Sequence, residues 1–209
     1  MKKKQAVLWL VMSILICNYN NAAELKNIQL EHGIKLKVFD DWDISKKSDN
    51  EKITASAKDK VNKAGIKPNL NVNAYEVIFN AKSETKYTTS FIGVSIGPPE
   101  LDQEELKSFG ELEIDIYKEL LKQQFKSVMS VLNGRNMKLK VEKIILNGLI
   151  TLKISSSFDI EGKPSAYNQS YKFFLSNKTV TLNIEKRSHI GDYNIDGIDH
   201  VINSFEIEI

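Results

Sequence analysis

The chain has 209 residues, of which 27% are charged and 42% hydrophobic, with a formal net charge of +2 at pH 7 and one cysteine. Three basic residues, Lys2 to Lys4, fall before residue 24 and no acidic residue does, so the remainder carries 26 basic against 27 acidic side chains. That near-neutral balance gives no electrostatic case for nucleic acid or anionic membranes.

The first segment, "MKKKQAVLWLVMSILICNYNNAA", has a basic start, an apolar run from Ala6 to Cys17 and small residues at Ala22 and Ala23. This is the pattern of a secretory signal peptide over residues 1–23, with cleavage expected after Ala23 and a cut after Ala22 as the alternative. Asn21 is an imperfect fit three places before the bond. The apolar run falls short of the roughly 20 residues that cross a bilayer, which disfavours a retained anchor. Ile16 before Cys17 disfavours a lipid-modified cysteine, because a small residue is usual there. Loss of Cys17 with the leader leaves a mature chain without thiols. Structural disulfides, thiolate metal sites and a catalytic cysteine are then excluded.

Residues 24–209 suffice for one domain with a proper core, and no linker or repeat divides them. In "GIKLKVF", Ile34, Leu36 and Val38 alternate with Lys35 and Lys37, which predicts a half-buried strand. A weak surface helix is expected over Asn50 to Ala64. "AYEVIFNA" and "YTTSFIGVSIG", rich in β-branched and aromatic residues, predict strands. From Gln103 to Leu132, Leu106, Phe109, Leu112, Ile116, Leu120, Phe125, Val128 and Leu132 recur at helical spacing. They predict one long helix with this stripe on the core, capped by Asp102 and stopped at Asn133-Gly134. "MKLKVEKIILNGLITLKISSSF" predicts a hairpin turning at Asn147-Gly148, and "SAYNQSYKFFLSNKTVTLNIEK" a second turning near Ser176-Asn177. Ile195, Ile198, Ile202 and Phe205 predict a short C-terminal helix running into "FEIEI".

This order of elements, with "HGIKLKVFDDWDIS", "YKFFLSNKTVTLNIEKR" and the closing "GIDHVINSFEI" with its Ser204-Phe205, resembles PsbP-like domains. These include a chloroplast photosystem protein and small exported bacterial proteins of uncharacterised role. The resemblance implies an α+β fold: an α/β/α sandwich with a mostly antiparallel sheet, one long helix and a short C-terminal helix. It implies no catalytic set, because this fold hosts binding roles.

Among candidate chemistries, "DYNIDG" begins as a calcium loop does, with Asp192, Asn194, Asp196 and Gly197 at the first, third, fifth and sixth positions. The twelfth position is Asn203, where a bidentate Glu is required, and the eighth is Asp199, where an apolar residue is usual. The same residues read as the start of the closing helix, with Asp192 and Asp196 in or near its first turn; Gly197 inside that helix would cost about 1 kcal/mol. His32, His189 and His200 form no zinc or general-base signature, and no serine sits in a nucleophile elbow. Asp40, Asp41 and Asp43 around Trp42 predict a solvated turn with the indole folded onto the core. Lys138 and Lys140, with Lys143 and Lys153 nearby, predict solvated charges that protect an exposed strand.

The leading expectation is a non-enzymatic periplasmic or secreted protein that binds a partner protein or small ligand at the cell envelope, with no cofactor. The alternatives are a periplasmic hydrolase, or a calcium-stabilised binding module built on Asp192 to Asn203. An enzyme predicts a deep pocket where histidine and carboxylates converge, a binding module an exposed apolar patch.

Overall fold

The computed structural model describes residues 24–63 and 75–208, so the expected leader and Pro68 lie outside the described residues. The elements are β1 (Leu25–Leu30), β2 (Ile34–Phe39), β3 (Asp43–Ile44), α1 (Lys47–Lys63), β4 (Glu76–Glu84) and β5 (Thr88–Gly97). Then follow α2 (Gln103–Ser108), α3 (Glu111–Leu132), β6 (Gly134–Leu146), β7 (Leu149–Ile160), β8 (Ser165–Leu175), β9 (Lys178–Ser188), α4 (Ile198–Asn203) and β10 (Glu206–Ile207).

Seven strands form one sheet in the order β3-β4-β5-β9-β8-β7-β6, and three form a second in the order β1-β2-β10. Each pairing among the described residues is antiparallel. The fold is therefore α+β with an antiparallel sheet, as expected. β6 to β9 form a meander because each reversal is short. At the first turn Asn147 and Gly148 have φ of 51° and 81°, the left-handed pair that a two-residue turn needs to match strand twist. Leu146 then pairs with Leu149, and Leu175 with Lys178 across Ser176-Asn177.

Side-chain alternation divides the interior into two layers. Ile34, Leu36 and Val38 are buried between the sheets, with Ile92, Val94, Phe173 and Leu182 from the large sheet and Val201, Ile202 and Phe205 from the chain end. Phe174, one residue on from Phe173, points to the opposite face. There it packs with Leu106, Val141, Leu152 and Ile154 beneath α2 and α3. One face of the large sheet thus carries α2 and α3. The other carries α4 together with the small sheet, whose strand β1 had no clear sequence signal.

The expected single helix from Gln103 to Leu132 is two. Phe109 takes an extended conformation, with φ −60° and ψ 118°, and α3 restarts at Gly110. Side chains satisfy the backbone groups freed by this break. Asp102 accepts from the Glu105 amide at 2.8 Å while Glu105 accepts from the Asp102 amide at 2.9 Å, a reciprocal cap on α2. Glu113 accepts from the Gly110 amide at 2.8 Å at the start of α3. Lys143, on β6, donates its ammonium to the carbonyls of Lys107 and Phe109, the orphaned end of α2. Asn133 ends α3 with φ 52°, as the Asn-Gly stop predicts. No helix among the described residues is long and apolar enough to cross a membrane.

Candidate functional site

Helix α3 lies along the sheet edge formed by β6, and only one of its faces is needed for packing. Ile114, Tyr117 and Leu121 supply that face and rest on Val141 and its neighbours. Leu112, Ile116 and Leu120 point away from the sheet and are 68%, 53% and 52% exposed. The sequence places these three on the buried stripe; the structure turns them to solvent. The physical reason is that α3 has two apolar faces and one sheet to pack against. Among the described residues, seven large hydrophobic side chains are exposed, and three of them share this one face. Such clustering in neighbouring turns marks an interaction surface better than scattered exposure does.

Beneath the opposite face of α3 sits a largely buried ion pair. The Lys172 ammonium lies 2.9 Å from both oxygens of Glu100, with side-chain exposures of 13% and 9%. It is 3.5 Å from the Tyr117 hydroxyl and stands over the rings of Phe174 and Tyr75 at 5.5 and 5.7 Å. Burial raises the Tyr117 phenol above its ordinary value, against the nearby ammonium, which acts to lower it. Glu100 lies between Pro98-Pro99 and α2, so this pair joins the connecting segment to β8.

The Asp192 segment is a loop rather than a helix. Gly197, with φ 73°, stands just before α4, so the helix starts at Ile198 and Asp192 and Asp196 precede it. Its left-handed conformation also explains the glycine, which would otherwise weaken a helix interior. Asp192 and Asn194 do converge, but on the ammonium of Lys186. Lys186 donates to Asp192 at 2.9 Å and to the Asn194 carbonyl, and its side chain is only 8% exposed. Asn194 donates from its own amide to Asp192 at 3.1 Å and from its side chain to Asp196 at 2.8 Å. The Lys186 hydrogen bond, with the Asn194 amide second, lowers the Asp192 carboxyl below its ordinary value. Among the described residues no three His, Cys, Asp or Glu side chains gather as a metal site would require.

A cleft of about 630 Å³ lies on the outer face of the small sheet beside α4. It brings together Asn27, Gln29, Lys37, His200, Asn203 and Glu206. Ser204 also borders it, but its hydroxyl is committed: it donates to the Val201 carbonyl at 2.8 Å and accepts from the Lys37 amide at 2.8 Å. At the rim, Lys35 lies 2.5 Å from Glu208; this contact raises the Lys35 value and lowers that of Glu208. The cleft is an open surface of mixed character, with Leu25, Ile28 and Leu36 beside these polar side chains.

The three histidines do not meet. His32 occupies a tight turn with φ 64°, His189 binds the Tyr87 carbonyl through its backbone amide, and His200 lies on α4. Trp42 is buried against Phe39, with ring centroids 5.2 Å apart, while Asp40, Asp41 and Asp43 are exposed around it. Lys138 and Lys140 are exposed on β6, with Lys140 2.7 Å from Glu142, and Lys153 stands over the Tyr171 ring at 5.6 Å. Desolvation pushes the Tyr171 phenol up to about 12.

No family model matches the chain, and no curated protein does. Among solved structures, the solution structure of cyanobacterial PsbP from Synechocystis sp. PCC 6803 matches with a TM-score of 0.50 and 10% identity, over 92% of this chain and 97% of that one. LpqN of Mycobacterium tuberculosis, described as involved in cell envelope biogenesis, matches with a TM-score of 0.44 and 12% identity, over 93% and 97%. The Pseudomonas aeruginosa protein PA94, of unknown function, matches with a TM-score of 0.33 and 10% identity, over 80% and 85%. Taken with the antiparallel sheet, the helix pair on one face and the Ser204-Phe205 chain end, the cyanobacterial match gives this chain a PsbP-like fold.

Proposed function

We propose that this chain is an exported, non-enzymatic binding protein that loses residues 1–23 by cleavage after Ala23 and works in the periplasm or outside the cell. Its partner docks at the cell envelope on the outward face of α3. The observation that carries this reading is the row of Leu112, Ile116 and Leu120, each more than half exposed on a helix whose other face already packs on the sheet. The leader pattern of Lys2 to Lys4 and the apolar run to Cys17 supports export. The cleft beside α4 offers a second place, for a small ligand.

Two measurements test it. In a bacterial host, N-terminal sequencing of the periplasmic protein is expected to begin at Glu24; retention of the leader in a cytoplasmic product would refute export. Affinity capture from envelope extracts is expected to retain a protein on the wild type that Leu112→Asp with Ile116→Asp releases. Substrate turnover that is lost in His200→Ala, with no such capture, would replace binding by hydrolysis.

A further inference from the structure

The face of the large sheet that carries α2 and α3 continues beyond them, across β9, β5 and β4. Ile154, Ser170, Asn183, Gly93 and Asn80 are successive cross-strand partners, so they share that face. Ile154 lies beneath the helices, whereas Asn183, Gly93 and Asn80 line a concavity of about 370 Å³. Gly93 is its floor. This glycine does not have a positive φ, and a Cβ added to it would meet nothing nearer than Asn80 Oδ1 and the Phe79 carbonyl, both at 3.6 Å. Neither its backbone nor crowding requires a glycine in mid-strand, where it weakens a sheet and often marks the close approach of a ligand. What the missing side chain leaves is a gap one strand wide, about 5 Å from the strand on either side.

The amides around this gap have hydrogen-bonding capacity to spare. Asn80 donates from Nδ2 to Ser45 Oγ at 3.3 Å, which leaves its Oδ1, beside the gap, as an acceptor. On the other side Asn183 accepts at Oδ1 from the Ser170 hydroxyl at 2.6 Å, which leaves its Nδ2 as a donor. The same hydroxyl lies 3.0 Å from Oδ1 of Asn168, whose Nδ2 also has no partner among the described residues. Phe91 and Val77 supply apolar walls. The lining holds one cation and one carboxylate, and they are spent on each other: Arg187 lies 2.5 Å from Glu185 and 5.7 Å over the Phe91 ring.

An acceptor and two donors without net charge, beside an aromatic ring, suit a ligand whose hydroxyls both donate and accept and whose C–H faces are apolar. An anion would find its cation already paired, and a wholly apolar ligand would strip water from the amides without replacing it. We propose that this concavity binds a neutral hexose unit of a saccharide. The ring lies over Gly93, its hydroxyls bridge Asn80 and Asn183, and a C–H face rests on Phe91. The site is separate from the α3 surface and does not depend on it.

A few hydrogen bonds and one apolar wall hold a ligand of this size with a dissociation constant on the order of 1 mM. The test titrates the isotope-labelled chain by NMR with glucose, galactose, mannose and N-acetylglucosamine to about 20 mM, and with glucuronate and inorganic phosphate as charged probes. At least one neutral sugar is expected to shift, saturably, the Gly93 backbone amide and the side-chain amides of Asn168 and Asn183. Gly93→Val fills the gap with a residue that suits a strand, so its melting temperature is expected to match or exceed that of the wild type. Its sugar binding is expected to fall at least about tenfold. Asn183→Asp keeps the acceptor for Ser170 and loses only the donor, and is expected to weaken binding about fivefold or more. No saturable shift with any neutral sugar overturns the proposal. So does binding that Gly93→Val and Asn183→Asp leave unchanged, and so does a site that takes glucuronate or phosphate in place of the neutral sugars.

Discussion

At the scale of single residues, one buried and one largely buried ammonium group organise this protein, and neither could be read from its position in the chain. Lys186 and Lys172 each stand one residue in a strand pattern, and the sequence says nothing of which carboxylate the fold will bring to them. Asp192 and Asn194 were legible as oxygen ligands; that their cation is a lysine six residues earlier, on the adjoining strand, was not. The Lys172–Glu100 pair allows a direct test. Glu100→Ala leaves a charge buried without its partner and is expected to cost about 3–5 kcal/mol in denaturant unfolding. Replacing both, Lys172→Met with Glu100→Leu, is expected to recover most of that loss, since the pair itself had to be desolvated. The Asp192 contact gives a pH dependence. Its carboxyl binds protons more weakly in the folded chain than in the unfolded chain, so its stabilisation is complete above the ordinary carboxylate value. It is lost as pH falls from about 4 downward through the lowered value. Melting temperature is therefore expected to fall less steeply between pH 5 and pH 3 (about the window of a carboxylate titration) in Asp192→Asn than in the wild type. Equal slopes would mean that this contact contributes nothing to acid sensitivity.

At the scale of elements, periodicity located most of the secondary structure and failed where a segment has more than one solution. Ile34, Leu36 and Val38 alternate with lysines, and a strand with one buried face has one way to satisfy that pattern. Helix α3 has two. Its apolar positions cover more of its circumference than one sheet can bury, so spacing alone could not say that Ile114, Tyr117 and Leu121 go inward and Leu112, Ile116 and Leu120 outward. The break at Phe109 was hidden for a related reason, because Gly110 was legible only as a weak helix former and its role depends on Glu113 capping the restart. At the chain end the sign of a glycine was misread. Gly197 looked like a flaw inside a helix but is the left-handed residue that allows one to begin. Gly197→Ala is expected to cost about 1–2 kcal/mol, because the residue keeps φ at 73° and an added Cβ would stand 3.3 Å from the Phe39 ring. A variant as stable as the wild type in thermal melts would show that the loop can rearrange around alanine.

At the scale of the whole molecule, the order of elements indicated the layered α+β architecture, and the assembly of its second layer stayed out of reach. β1 and β10 are too short or too plain to announce a sheet, and β2 reads equally well as part of the large one. What joins them is long-range: Lys35 pairs with Glu206 and Ile34 with Ile207, while the Glu208 amide donates to the Gly33 carbonyl at 2.9 Å. The central ladder is similarly remote, running from Thr88 with Ser188 to Gly97 with Thr179. These pairings impose a timetable. The β6 to β9 meander and the β1–β2 and β4–β5 hairpins can form from neighbouring residues, but β5 must wait for β9, and β2 must wait for β10. Loop-closure entropy makes such late, distant contacts slow to form. An emerging polypeptide of this design cannot join its two halves into one sheet until β9 has been made. For the exported chain proposed above, that delay would leave the two halves of the large sheet unjoined while the first half is threaded through a translocation channel.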